Sequence, residues 1–273
     1  KAHARNQYCN TRRSFSDPLL GTGVGNQLES YLNSPEAGAL PLTGQAAWFF
    51  GDDMPPKVYL SVNLPWKEFD SRWTGWGWKA DVGVLGLVHD KSGAISARFS
   101  DVTYSDLGDE VATTMPKLHP SSAVKDALRW ELPSRFMAQL DLIPGKYTLE
   151  LAVTDSKKKG RLEIPLEIDR VSAEESASLT ESSVALCKQF RKQSDRIGPW
   201  REPASKYVPL VSKGIEFTPS GDTRFRTSDA MAAYFEVYEP LLSTVSPAAK
   251  VQFRMKISDA KTGEVKVDTG LRA

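Results

Sequence analysis

Two distant stretches of this chain are written in the same pattern, and that repetition constrains the fold more than any other feature. Val82-Gly-Val84-Leu-Gly-Leu-Val88-His-Asp90-Lys-Ser-Gly93-Ala-Ile95 carries alternating apolar positions into an Asp and a Gly, and then into a second extended run. Val251-Gln-Phe253-Arg-Met255-Lys-Ile257-Ser-Asp259-Ala-Lys-Thr-Gly263-Glu-Val265 does the same. Period-two apolar alternation is the signature of a half-buried strand, and Asp followed by Gly is the chemistry of a tight reversal, so each stretch predicts a β-hairpin. After the first copy comes Leu142-Ile-Pro144-Gly145-Lys-Tyr147-Thr-Leu149-Glu-Leu151-Ala-Val153-Thr-Asp155, a turn feeding a long strand that would close a sandwich. No such strand follows the second copy before Ala273. The expectation is one complete β-domain followed by most of a second, a piece of something longer, with an open sheet edge on which a protein partner or another copy of the chain could add a strand.

The rest of the chain supports an all-β reading. Gln45 to Phe50, Lys57 to Pro65, Phe136 to Leu142, Tyr147 to Thr154 and Leu162 to Ile168 read as strands bounded by Gly, Pro or Asp. Ile215 to Phe217, Arg224 to Arg226 and Ala233 to Pro240 would repeat that order. Short strands at this spacing predict two tandem immunoglobulin-like antiparallel β-sandwiches. The expected division is an irregular N-terminal arm over 1–43, a first sandwich over 44–170, a linker over 171–182 and a second, incomplete sandwich over 183–273. Helical candidates are few: Asn26 to Asn33 within the arm, residues 121 to 132, and a capped turn through Ser172 and Glu175. Gly21, Gly23 and Gly25 have the density of a phosphate loop, but no Lys-Ser/Thr follows them, so the arm reads as plain flexible chain.

Composition removes several classes of function. The 273 residues are enough for two domains, and Lys plus Arg (35) nearly cancels Asp plus Glu (34), so there is no basic excess of the kind a nucleic-acid binder shows. Lys157-Lys-Lys159 precedes Gly160 at an expected hairpin tip and reads as a solvated turn. No apolar run approaches the roughly 18 residues needed to cross a bilayer. The two cysteines, Cys9 and Cys187, match no CxxC spacing. They are either a long-range disulfide or two unrelated thiols, which depends on whether their Cα atoms lie within about 7 Å.

Catalytic chemistry has little to build on. The three histidines, His3, His89 and His119, fall in no metal-ligand spacing, and there is no GxSxG elbow. Asp52-Asp53 and Asp106 with Asp109-Glu110 lack the spacing of a calcium loop and read as turn carboxylates. The expectation is a chain with no catalytic residues, no metal and no cofactor. The strongest binding candidate is Trp73-Thr-Gly75-Trp76-Gly77-Trp78. Indoles spaced by glycines can form a stacking platform for a sugar or an anchor for a protein, because a flat ring offers much contact area at small entropic cost. The competing reading sends Trp76 and Trp78, on one strand face, into the sandwich core.

The sequence also resembles a family. Pro209-Leu-Val-Ser-Lys-Gly214-Ile-Glu-Phe-Thr-Pro219-Ser, then Arg224-Phe225-Arg226, then Tyr234-Phe-Glu-Val-Tyr238-Glu-Pro240 are similar to the downstream region of bacterial von Willebrand factor A related proteins of the acidobacterial type. The Ile143-Pro-Gly145-Lys-Tyr147 strand and the Asp90-Lys-Ser-Gly93 hairpin share the likeness. Ala4-Arg5-Asn-Gln-Tyr8 resembles the ARxGYY stretch that ends the type A domain there, with Asn6 and Cys9 departing from it. The DxSxS loop of the type A metal site does not occur in this chain. The resemblance implies stalk or accessory β-sandwiches of a secreted or cell-surface protein, a non-catalytic interaction or adhesion module. A carbohydrate-binding module using Trp73, Trp76 and Trp78 is the alternative.

Overall fold

In the computed structural model the described residues are 17–51, 54–65, 68–70, 72–73, 78–104, 135–169, 180–192, 209–238 and 251–272. Nine strands build the first module: β1 (Thr43–Gly51), β2 (Met54–Asn63), β3 (Arg72–Trp73), β4 (Trp78–Lys79), β5 (Asp81–Asp90), β6 (Ile95–Tyr104), β7 (Arg135–Asp141), β8 (Gly145–Thr154) and β9 (Lys159–Ile168). Two sheets form a sandwich, one in the order β1-β2-β7 and the other β6-β5-β8-β9, with antiparallel pairing throughout. Inward residues of alternate parity fill the space between them. Trp48, Val58, Leu60, Val62 and Phe136 from the three-stranded sheet meet Val82, Val84, Val88, Leu149, Leu151 and Val153 from the four-stranded one. Gly86 leaves the room that the Phe99 ring occupies, since a Cβ there would stand 2.0 Å from the ring. At the start of β8 the Tyr147 hydroxyl donates to the Ile143 carbonyl at 2.9 Å, tying the β7–β8 connection to the strand it feeds.

The central strand β5 is buried on both faces from Val82 to Val88. Its outward residues Leu85 and Leu87, with Ala152 of β8, are covered by Leu19, Leu28, Tyr31 and Leu32. Three of these sit on or beside α1 (Gly23–Leu32), which is capped by the Thr22 hydroxyl accepting from the Gly25 amide at 3.0 Å. The expectation of a plain flexible arm over 1–43 is therefore corrected for its described part. Residues 17–43 form a docked layer, because a central strand with apolar residues at both parities needs a cover on its outer face. Arg98 fastens that layer through Asp17 at 2.7 Å and Glu29 at 2.9 Å.

The opposite face of the three-stranded sheet is also covered. β11 (Ala185–Lys192), β12 (Leu210–Ser212), β13 (Ile215–Pro219) and β14 (Ala232–Tyr234), following the short β10 (Thr180–Glu181), form an antiparallel sheet in the order β12-β13-β11-β14. Ala185, Cys187, Leu210 and Tyr234 from this sheet pack with Ala47, Phe49 and Tyr59. Residues 182–236 belong by contact to the same compact unit as the first sandwich, while residues 171–181 group with 237–273, so the chain changes unit at 170/171, at 181/182 and again at 236/237. Arg224 to Arg226, expected as a strand, is instead irregular chain in which Asp222 and Asp229 accept the amides of Arg224 and Arg226.

The second unit holds β10, β15 (Val237–Tyr238), β16 (Lys256–Ser258) and β17 (Val265–Asp268). The hairpin expected twice is present twice. Gly93 donates to the Asp90 carbonyl and Gly263 to the Asp259 carbonyl, both glycines have positive φ (83° and 72°), and each Asp side chain accepts two backbone amides of its own turn. Met255, Ile257, Val265 and Val267 are exposed on the second copy. Among the described residues β16 and β17 form a two-stranded sheet. No helix of the described residues is long and apolar enough to cross a membrane.

Candidate recognition site at the loop end of the sandwich

The connection from β2 to β5 carries the tryptophan segment, and both of its feet are sunk in the core. Leu64, Phe69 and Ala80 are buried, with Phe69 at 2% exposure. Between Phe69 and Ala80 lie β3 and β4, whose antiparallel backbone register sets Trp73 opposite Trp78 and Arg72 opposite Lys79. Trp76 lies outside the described residues, as do His3, His119, Asp52, Asp53, Asp106, Asp109, Glu110, the helical candidates over 121–132 and Ser172 to Glu175, and the Pro199 to Pro203 stretch.

The neighbouring turn, from β8 to β9, is locked onto this connection by one carboxylate. Asp155 is 6% exposed. Its Oδ1 accepts the amides of Lys157 at 3.0 Å and Lys158 at 2.7 Å, and its Oδ2 accepts the amide of Asp70 at 2.8 Å. Burial by itself would raise the Asp155 carboxyl, but the amides of Lys158, Asp70 and Lys157 outweigh it and hold the group below the ordinary carboxylate range. The turn is tight, with Ser156 at φ 76° and the Thr154 hydroxyl donating to the Lys158 carbonyl at 2.9 Å. Two ion pairs cross between the loops: Lys158 with Glu68 at 3.0 Å and Lys157 with Asp70. The Lys158 ammonium also donates to the Glu68 carbonyl at 2.9 Å.

The lysine run expected to be a solvated turn is thus engaged at each position, with Lys159 placed over the Tyr31 ring at 5.5 Å. The sequence pointed to the tryptophans and missed Asp155. A carboxylate two residues ahead of a Lys run is a common turn arrangement, and nothing local marks one whose second oxygen reaches a segment 85 residues away.

The other candidates are dispersed. His89, near the end of β5, has Nε2 3.2 Å from Glu150 and Nδ1 3.2 Å from the Gly93 carbonyl. Cys187 is a free, buried thiol that desolvation pushes up to about 11, while Cys9 lies outside the described residues. Among the described residues no group of three or more His, Cys, Asp or Glu is placed to hold a metal ion. Compared with models of known protein families the chain matches none, and no curated protein is significantly similar to it.

Proposed function

We infer that this chain is a non-catalytic recognition module, secreted or displayed at a cell surface, that presents the β2–β5 connection and the β8–β9 turn to a partner. The observation that carries the reading is the Asp155 clamp. Two loops at one end of the sandwich are joined by a buried carboxylate, and the β2–β5 connection that carries the tryptophans is anchored in the core at Leu64, Phe69 and Ala80. Loops clustered at the end of a rigid sandwich are where such folds carry recognition. The strand orders β1-β2-β7 and β9-β8-β5-β6, with Tyr147 bonded back four residues at the start of β8, support an immunoglobulin-like assignment for the first sandwich. The secreted or surface placement, and the role as an accessory module of a von Willebrand factor A related protein, rest on the sequence resemblance.

One observation favours glycan as the ligand. The backbone register of β3 and β4 sets Trp73 opposite Trp78, and tryptophan is a residue type on which sugar rings stack. The test is a glycan array and a panel of extracellular proteins probed with the whole chain and with a Trp73→Ala/Trp78→Ala variant of equal melting temperature. Binding that the double variant loses at least tenfold is the expected result. Turnover in a broad hydrolase screen, or binding unchanged by the double variant, would overturn the reading.

A further inference from the structure

We propose that the second unit is a strand acceptor: the outer edge of β16 takes an extended segment of a partner protein, antiparallel, with apolar residues at alternate positions and a carboxylate between two of them. This edge belongs to the second unit and is independent of the loop-end reading above. The occupant is identified by the first copy of the hairpin, which the second matches in register. In the first, Val88 stands opposite Ala97, a bulge shifts the pairing, and His89 stands opposite Ile95. In the second, Ile257 stands opposite Val267, the same shift follows, and Ser258 stands opposite Val265. The Asp90 amide donates to the Ala94 carbonyl at 2.9 Å, and the Asp259 amide donates to the Glu264 carbonyl at 2.8 Å.

The two copies differ in what lies beside them. Along the other edge of β5 runs β8, with Leu149 opposite Val88, Glu150 opposite Leu87 and Leu151 opposite Gly86. Val88 is fully buried there. Among the described residues β16 has β17 on one side and no ladder on the other. Met255, Ile257 and Val267 share a face by strand alternation and cross-strand pairing, and they are 39%, 39% and 44% exposed. A hairpin of two strands is marginal in water, and a third strand is an ordinary way to complete it. By register, Ile257 corresponds to Val88, Lys256 to Leu87 and Met255 to Gly86. A strand arriving as β8 does sets its apolar residues beside Ile257 and Met255 and its carboxylate opposite Lys256. Lys256 is exposed, and Asp268, across from it on β17, is taken by Arg254. Lysine on an open edge turns unselected strands away, so the charge that guards this edge also selects an acidic partner.

The probe is a peptide with the sequence of this chain's own residues 143–156, which carries the required pattern. It is titrated into the whole chain and followed by calorimetry and amide hydrogen exchange. The peptide should bind saturably, slow exchange over 253–258 about tenfold, and leave 82–90 unchanged, because there β8 already holds the edge. A Glu150→Lys peptide should bind several-fold more weakly. A chain carrying Lys256→Glu should reverse that preference, losing the first peptide and regaining the second. Ile257→Asp should abolish binding, with exchange over 82–90 showing that the first unit is intact. No binding, protection appearing at 82–90 instead, or a charge swap that restores nothing overturns the proposal. Concentration-dependent self-association that protects 253–258 without peptide also overturns it, since the edge then belongs to a second copy of the chain. So does protection of 253–258 in the isolated monomer equal to that of 82–90, since the edge is then filled from within.

Discussion

Gln45 shows how much one side chain can hold in this protein. It lies on β1, is 8% exposed, and faces away from the sandwich core toward β11. Its Oε1 accepts the Leu186 amide at 3.0 Å, and its Nε2 donates to the Leu186 carbonyl at 2.7 Å and to the Ser220 carbonyl. The carboxamide imitates a strand backbone, joining two sheets that share no ladder, and Ser61 repeats the device by donating to the Pro219 carbonyl at 2.8 Å. Removing such a group leaves buried donors and acceptors without partners, at about 1–3 kcal/mol apiece before water enters. Gln45→Ala is expected to lower stability by about 2 kcal/mol, read as a fall in urea midpoint at constant slope. Gln45→Glu keeps the acceptor but sets a carboxylate against two carbonyls, so it should cost more, with the excess shrinking as pH drops and the carboxyl is protonated. Equal midpoints for the two variants at neutral pH would contradict this account. Nothing in the sequence marked Gln45, because its partners are 141 and 175 residues away.

At the scale of elements, what could be read in advance was what local chemistry dictates. Both Asp and Gly hairpins form because an Asp side chain that caps its own turn, and a glycine free to take positive φ, act over four or five residues. The Pro144-Gly145 turn and β8 were legible for the same reason. The docking of α1 was not, although β5 held the clue in Leu85 and Leu87, which lie on the face opposite Val82, Val84 and Val88. The Trp73 to Trp78 segment was legible as a binding candidate, but its pairing as β3 with β4 and the Asp155 clamp beside it were not, since the clamp joins segments distant in sequence. Leu28 on α1 is fully buried against that outer face. Leu28→Ala should therefore cost about 3 kcal/mol of global stability by denaturant unfolding, the usual loss for emptying a packed core site. A loss below about 1 kcal/mol would mean that α1 is a loosely attached strap rather than a layer of the fold.

At the scale of the whole molecule, the polar 171–182 stretch was legible as a change of unit, whereas the return of 182–236 to the first unit was not, because sheet-to-sheet burial leaves no local mark in sequence. Among the described residues the first unit stacks a helix and three sheets of three or four strands, so Tyr59, Cys187 and Tyr234, which pack at the junction of two of them, titrate as part of that stack. Burial and the nearby Glu236 push Tyr59 up to about 12, desolvation pushes Cys187 up to about 11, and burial with Glu236 raises Tyr234 further still. In each case the folded state holds its proton more tightly than the unfolded chain does. The stabilisation is thus complete below the unfolded value, near 9 for the thiol and 10 for the tyrosines, and is lost as pH climbs toward the folded value. Asp155 acts in the opposite sense: its carboxyl is lowered from 3.8, so its contribution is present above that value and disappears as pH falls through the folded one. Melting temperature against pH should accordingly be flat from about 5 to 8.5, falling on both sides. The alkaline fall should begin with Cys187, the first of the three to feel hydroxide. Cys187→Ala is expected to lower the plateau slightly through its small cavity and to delay the onset by about one pH unit, toward the tyrosine range. An alkaline limb with the same onset in Cys187→Ala as in the natural chain would show that the buried thiol is not what the fold protects first.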